Sequence, residues 1–150
     1  HVSKKAEEAN IGDVIVATED QEIVDDVKKN GFNAILTSDK HKTGTDRIHE
    51  ALIKSDIKDV DLIMNLQGDE PAINIEDLKS LNYKMSQNHS NLGTLAAMIK
   101  DEKNFKNENI VKVTTEESLD KSNFPLAMNF IRKSAEIECF LFSSKSQSVA

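Results

Sequence analysis

Residues 14 to 36 read VIVATEDQEIVDDVKKNGFNAIL, and this stretch decides the fold class. Its first four residues form a largely β-branched apolar run, which is typical of a parallel strand covered on both faces. A capping box beginning at Thr18 then predicts a helix that ends at Gly31. The apolar run at 34–36 predicts the next strand. A strand, a helix and a second strand in this order indicate a right-handed βαβ unit.

The alternation of apolar runs and helical spacing continues along the rest of the chain. Apolar residues at helical spacing predict helices at 2–9, around 48–52 and after the capping residue Asn74. Further apolar runs predict strands at 60–66, 92–99 and 110–114. The sequence therefore predicts an α/β protein with a mainly parallel sheet. Because the helix at 2–9 has no strand ahead of it, we expect the chain to be a fragment whose first strand precedes His1.

Composition narrows the class of protein further. Of the 150 residues, 38% are hydrophobic and 30% are charged, which suits a domain with a real core. The 19 basic and 26 acidic residues give a net charge of −7, which argues against a nucleic-acid-binding surface. No window reaches the roughly 18 uninterrupted apolar residues of a membrane span, so we expect no insertion into a membrane. The single Cys139 excludes an internal disulfide and fits a reducing compartment.

The first candidate functional motif is KTGTDR at 42–47, which follows a predicted strand and precedes a predicted helix. Gly44 allows a ligand to approach the backbone closely. Thr45 is suited to cap the helix, whose free amides favour an anion. Arg47 offers a planar set of donors for a carbonyl or a phosphate. A capped loop with a solvated arginine explains the same pattern, and the motif taken alone favours that simpler interpretation.

The second motif is NLQGDEP at 65–71, at the carboxyl end of the strand predicted at 60–66. Ligands of open α/β sheets bind at this end of the strands. Gln67 has a donor and an acceptor that suit the edge of a base, and Gly68 leaves room for a ligand to pass. Asp69 is suited to bind Mg²⁺ together with substrate phosphates. A turn that ends a strand explains the motif about equally well.

The third motif is NFIRK at 129–133, for which a basic patch beside an amphipathic segment is the better interpretation.

Other common sites are absent from the sequence. The five glycines form neither G-x-G-x-x-G nor a P-loop. The four histidines show no metal-ligand spacing.

Four segments taken together resemble a known family. VIVATED at 14–20, TGTDR at 43–47, NLQGDEP at 65–71 and NIVKV at 109–113 have the order and spacing of 3-deoxy-manno-octulosonate cytidylyltransferases, the CMP-Kdo synthetases. The resemblance covers roughly residues 1–132. It implies the nucleotide-diphospho-sugar transferase fold, a Rossmann-like α/β/α sandwich, here truncated. It also implies transfer of CMP from CTP to 3-deoxy-manno-octulosonate (Kdo), with release of pyrophosphate, for lipopolysaccharide synthesis.

The resemblance assigns roles to individual residues. It implies that Gly44, Thr45 and Arg47 lie against the nucleotide. It places Gln67 where the family reads cytosine, next to Gly68 in the nucleotide site. Asp69 matches the family's catalytic Mg²⁺-binding aspartate. Arg132 matches an arginine that meets the carboxylate of Kdo, although Ile131 replaces the family's serine.

The two ends of the chain depart from the family pattern. We predict a partial nucleotidyltransferase domain at 1–136 and an atypical tail at 137–150 outside the native fold. The family's basic triphosphate loop, its later Kdo-binding region and its second metal-binding aspartate are not recognisable. We therefore expect this fragment to be inactive. The resemblance further implies a cytoplasmic enzyme that is a homodimer at full length.

Two alternatives stay open at this point. One is a cytidylyltransferase for another sugar acid, such as a sialic acid. The other is a non-catalytic α/β nucleotide-binding module.

Overall fold

The computed structural model describes residues 1–118 and 121–133 of the chain. Its elements in chain order are α1 (Val2–Ala9), β1 (Ile15–Thr18), α2 (Gln21–Lys29), β2 (Asn33–Leu36), α3 (Gly44–Lys54), α4 (Ile75–Asn88), α5 (Glu102–Lys106), β3 (Lys112–Thr115) and β4 (Ala127–Ile131). The chain divides into two compact units, His1–Lys79 and Ser80–Ala150. The predicted tail at 137–150, with Cys139, lies outside the described residues.

The first unit is built on a parallel pair of strands. β1 and β2 run side by side from Ile15 opposite Asn33 to Thr18 opposite Leu36. One further backbone bond, from the Thr37 amide to the Thr18 carbonyl at 2.8 Å, continues the pairing past both strand ends. Helix α2 connects the strands, and α2 and α3 both pack against them. The predicted βαβ unit is confirmed.

Helix α2 begins two residues later than the capping box predicts. Thr18 is still part of β1, so it cannot adopt the role of a helix cap. Asp20 is the cap instead, and its carboxylate accepts the Glu22 amide at 2.8 Å. The other end agrees with the prediction, because the helix stops at Lys29 and Gly31 follows with a φ of +85°, which glycine adopts without strain.

The predicted strands at 60–66 and 92–99 are wrong. Neither segment contains strand residues, and among the described strands β1 pairs with β2 alone. The apolar character of these segments is real, but a strand also needs a neighbouring backbone to receive its hydrogen bonds. Without one, Val60, Leu62 and Ile63 remain between 37% and 53% exposed.

The second unit contains an antiparallel pair. β3 and β4 align Lys112 with Ile131 and Thr115 with Ala127, with an irregularity between Thr114 and Thr115. The strand predicted at 110–114 is therefore present but begins later, and β4 covers a segment for which we predicted no strand. Lys112 is buried, and its ammonium donates to the carbonyls of Asn107 at 2.5 Å and of Arg132 at 2.6 Å.

From α1 to α3, helices alternate with short strands, whereas α3, α4 and α5 follow one another and β3 pairs with β4 antiparallel. The described residues combine helices with a parallel pair of strands, and the predicted α/β class is confirmed. Within these residues, no helix has both the length and the apolarity needed to cross a membrane.

Candidate functional site

The loop before α3 holds the first predicted motif. Thr43 has an extended backbone and caps α3, because its hydroxyl accepts the Asp46 amide at 3.2 Å and donates to the Asp46 carboxylate at 2.6 Å. The predicted cap, Thr45, lies inside the helix, so that prediction is wrong. Because Thr43 makes the cap bond, the exposed Thr45 hydroxyl has no hydrogen-bond partner among residues 1–118 and 121–133.

Arg47 lies at the carboxyl ends of both parallel strands. Its Nη1 donates to the Thr37 hydroxyl at 2.7 Å and to the Ser38 carbonyl at 3.3 Å, and it forms an ion pair with the Glu19 carboxylate at 2.5 Å. Glu19 directly follows β1, and Thr37 directly follows β2. The Arg47 side chain is 18% exposed, so it is not the solvated arginine of the simpler interpretation. Its guanidinium lies at the edge of the sheet where α/β proteins bind ligands.

Glu50, one turn further along α3, binds the same loop. One carboxylate oxygen accepts the Ser38 amide at 3.0 Å and contacts the His41 ring, and the other pairs with Lys54 at 2.6 Å. These donors lower the pKa of the Glu50 carboxyl from 4.5 to about 2, with the Lys54 hydrogen bond as the largest cause, followed by the Ser38 amide and the His41 ring. Lys54 also donates to the Leu36 carbonyl at 3.0 Å.

Sequence reasoning missed these contacts of α3. The spacing of Glu50 and Lys54 on one helix was a visible signal for a pair of opposite charges. Nothing in the local sequence showed that the residues after β2 fold back onto this face of the helix. We call Arg47, Glu50 and Lys54 the α3 polar stripe, since all three bind the segment 36–38.

The second motif forms two consecutive turns rather than the end of a strand. The Glu70 amide donates to the Gln67 carbonyl at 3.2 Å, and the Ile73 amide donates to the Glu70 carbonyl at 3.2 Å. The chain then enters α4, where Asn74 accepts the Glu76 amide at 3.0 Å, as predicted for a cap. Gln67, Gly68 and Asp69 are all exposed on these turns. The side chains of Gln67 and Asp69 and the backbone of Gly68 are therefore open to a ligand.

The two motifs adjoin at one point. A Cβ placed on Gly44 would lie 4.0 Å from the Asn65 side-chain nitrogen, which is an ordinary contact distance. The structure thus brings the start of α3 together with the start of the NLQGDEP motif, within the first unit.

Asp69 is the candidate metal ligand. Its exposed carboxylate has no hydrogen-bond or ion-pair partner in the part of the chain that the structure describes. That same part contains no group of three or more histidine, cysteine or acidic residues able to hold a metal ion. A lone free carboxylate fits Mg²⁺, which takes one or two protein carboxylates and completes its shell with water and substrate phosphates.

Arg132 belongs to the second unit, just beyond β4. Its Nη1 donates to the Asn109 carbonyl at 3.0 Å, and its own carbonyl accepts the buried Lys112 ammonium. The side chain is exposed. The predicted basic patch thus contains a guanidinium that the loop before β3 holds in place.

Comparison with known proteins agrees with the resemblance. The sequence matches the family described as cytidylyltransferase over residues 1–149. A 3-deoxy-manno-octulosonate cytidylyltransferase of Thermodesulfovibrio yellowstonii is 40% identical over 132 residues, which cover 84% of this chain and 50% of the relative. A protein of the same name from Francisella tularensis is 36% identical over 147 residues, covering 97% of this chain and 56% of the relative.

A solved structure extends the likeness to the fold. The structure of CMP:2-keto-3-deoxy-manno-octonic acid synthetase complexed with CTP matches with a TM-score of 0.72 and 25% sequence identity, over 93% of this chain and 56% of the other. The chain therefore spans about half the length of the relatives that it matches. On the extent of the family match and the likeness of the fold, the chain belongs to the cytidylyltransferase family.

Proposed function

We propose that this chain forms the nucleotide-binding part of an enzyme that transfers CMP from CTP to Kdo, giving CMP-Kdo and pyrophosphate for lipopolysaccharide synthesis. The observation that carries the proposal is the proximity of Gly44, at the start of α3, to the side chain of Asn65, which begins the NLQGDEP motif, beside the carboxyl ends of β1 and β2. The names of the relatives and the CTP bound to the related structure support the choice of nucleotide and sugar acid.

In this proposal, the exposed Gln67 amide reads the edge of the cytosine. An amide offers one donor and one acceptor group, which can pair with an acceptor and a donor on the edge of the cytosine. Gly68, next to it, has nothing within 4 Å of an added Cβ, so the backbone there is open to the base or ribose.

The start of α3 supplies the second part of the nucleotide site. Gly44 and Thr45 are exposed in the first turn of a helix of 11 residues, where free backbone amides favour phosphate. Arg47 is already held by Thr37 and Glu19. Because its position is fixed beforehand, a ligand that it contacts binds without the full entropic cost of ordering the side chain.

Asp69 would hold Mg²⁺ together with the phosphates of CTP. Bound there, the ion would neutralise charge on the triphosphate and on the leaving pyrophosphate. The carboxylate is suited to this role because it is exposed and without a partner among the described residues.

The reaction itself is an in-line substitution at phosphorus. The anomeric hydroxyl of Kdo forms a bond to the α-phosphorus, the bond from that phosphorus to the bridging oxygen breaks, and pyrophosphate leaves. The hydroxyl proton passes to solvent.

We assign recognition of the Kdo carboxylate to Arg132, whose exposed guanidinium pairs well with a planar carboxylate. A homodimeric full-length enzyme, a cytoplasmic location and a boundary after residue 136 stay predictions.

Binding and turnover are tested separately, since the chain spans about half the length of its relatives. We expect the 150-residue chain to bind CTP in preference to UTP in calorimetric titrations, and to be inactive by itself. The full-length protein should release pyrophosphate from CTP with Kdo and not with a sialic acid. Equal turnover with both acids would contradict the assignment of the substrate. If a folded full-length protein releases no pyrophosphate from CTP with either acid, the assignment as a transferase is contradicted.

A further inference from the structure

We propose that Glu50 is a positioning residue that fixes the loop at 38–43 in the shape that nucleotide binding requires. The proposal rests on the proposed function, because the loop matters for catalysis only if the start of α3 receives CTP. Glu50 itself contacts neither the substrate nor the metal in this proposal.

Glu50 contacts three residues, two in the loop at 38–43 and one on its own helix. Its carboxylate accepts the backbone amide of Ser38, contacts the ring of His41 in the middle of the loop, and pairs with Lys54 on its own helix. The Glu50 side chain is 22% exposed, and so is His41, so both are shielded from much of the solvent. A single carboxylate therefore joins the first half of the loop to the helix that follows it.

The backbone of Ser38 is held on both sides. Glu50 accepts its amide, and Arg47 donates to its carbonyl at 3.3 Å. Arg47 and Glu50 are three residues apart on α3 and share a helix face, so the two bonds fix the orientation of this peptide segment against the helix. The loop then reaches Thr43, whose cap sets the start of α3 and with it the positions of Gly44 and Thr45.

The Glu50–Lys54 pair differs from an ordinary surface ion pair, as a second pair in the same chain shows. Glu102 on α5 pairs with Lys106 at 2.6 Å with the same i,i+4 spacing as Glu50 and Lys54. The Glu102 and Lys106 side chains are 78% and 63% exposed, and exposed pairs of this kind stabilise little. Glu50 adds a backbone amide and a histidine from outside its helix. A carboxylate hydrogen bond to a backbone amide orders the segment that donates it.

The decisive variant is Glu50→Gln, which keeps one acceptor oxygen and removes the charge. Glu102→Gln is the matched control, because it removes a charge of the same helical spacing far from the loop in sequence. We expect Glu50→Gln to speed hydrogen exchange of the Ser38 amide and to weaken CTP binding to the chain about tenfold. In the full-length enzyme, it should raise KM for CTP and leave KM for Kdo unchanged. Glu102→Gln should leave all of these values unchanged.

A second variant separates positioning from a general loss of stability. His41→Ala leaves Glu50 charged but removes its contact to the middle of the loop, and we expect it to raise KM for CTP in the same direction. A lower melting temperature with an unchanged KM for CTP, in either Glu50→Gln or His41→Ala, would overturn the proposal. So would an equal rise in KM for both substrates. If the full-length protein makes no CMP-Kdo at all, the transferase assignment fails, whereas exchange at Ser38 still reports whether Glu50 orders the loop.

Discussion

Arg47 and Glu50 bind both backbone polar groups of Ser38, since Arg47 donates to the Ser38 carbonyl and Glu50 accepts the Ser38 amide. With Lys54, which donates to the Leu36 carbonyl, the α3 polar stripe fastens the end of β2 to α3 through polar contacts. The fully buried apolar side chains of β2 and α3 among the described residues are those of Ala34 and Ala51, both of them small. The shape of the candidate site therefore depends on hydrogen bonds as well as on the core.

Arg47→Met should destabilise the chain by about 1–2 kcal/mol, since it removes the bonds to Thr37, Ser38 and Glu19 while keeping much of the side-chain volume. Urea unfolding followed by circular dichroism measures the change. Lys58→Met, at an exposed position, is the control and should lie within about 0.5 kcal/mol of wild type. Equal midpoints for the two variants would show that the Arg47 contacts add nothing to stability.

Asp69→Asn in the full-length enzyme should abolish turnover and leave the melting temperature nearly unchanged. The carboxylate is exposed and has no partner among the described residues, so its charge is not needed for folding. Asp61→Asn removes another exposed carboxylate and should keep full activity. Pyrophosphate release at several Mg²⁺ concentrations checks the prediction, and normal turnover by Asp69→Asn would refute a metal-binding role.

Glu50 should contribute to the acid stability of the chain. Its pKa is lowered to about 2 in the folded chain from the ordinary 4.5, so the folded state favours the ionised form. That stabilisation is fully present above about pH 4.5 and is lost as the pH falls toward 2. Melting temperatures of wild type and Glu50→Gln should therefore differ at neutral pH and converge over this interval. A difference that stays constant down to pH 2 would contradict the prediction.

Gly93→Ala should destabilise the second unit by about 1–2 kcal/mol through overpacking. A Cβ at this position would overlap the Met85 sulfur and lie 3.4 Å from Leu81 Cδ1, and Met85 is 8% exposed, so it has little room to move. In a Met85→Ala background the same substitution should cost much less, because the two sites are coupled. Gly12→Ala, with open space around the added Cβ, is the control. Equal costs of Gly93→Ala in both backgrounds would argue against the contact.

Local pattern was enough to predict the βαβ unit. The apolar run of β1, the periodicity of α2 and the stop at Gly31 are properties of neighbouring residues, and each is confirmed. The caps of α2 and α3 were misplaced by two residues in opposite directions, at Thr18 and Thr45. Several residues near each helix start have side chains that can accept an amide, and only the backbone conformation selects Asp20 and Thr43.

Partners distant in sequence account for what could not be predicted. The run at 60–66 has the composition of a strand but no neighbouring backbone to pair with among the described strands. The contacts of Arg47 with Thr37 and of Glu50 with Ser38 join residues that are 10 and 12 positions apart. Residue types at 42–47 suggested a ligand loop, yet nothing in them specified which side chains would hold it.

The buried Lys112 ammonium has a consequence for how proteases attack the second unit. Trypsin cleaves after lysine and arginine, but it needs the side chain and several flanking residues to leave the folded structure. Lys112 is 3% exposed and bonded to the Asn107 and Arg132 carbonyls, whereas Lys103 and Lys133 are exposed. Cleavage at Lys112 therefore requires the β3–β4 pair to open. The rate of this cleavage measures how readily the pair opens.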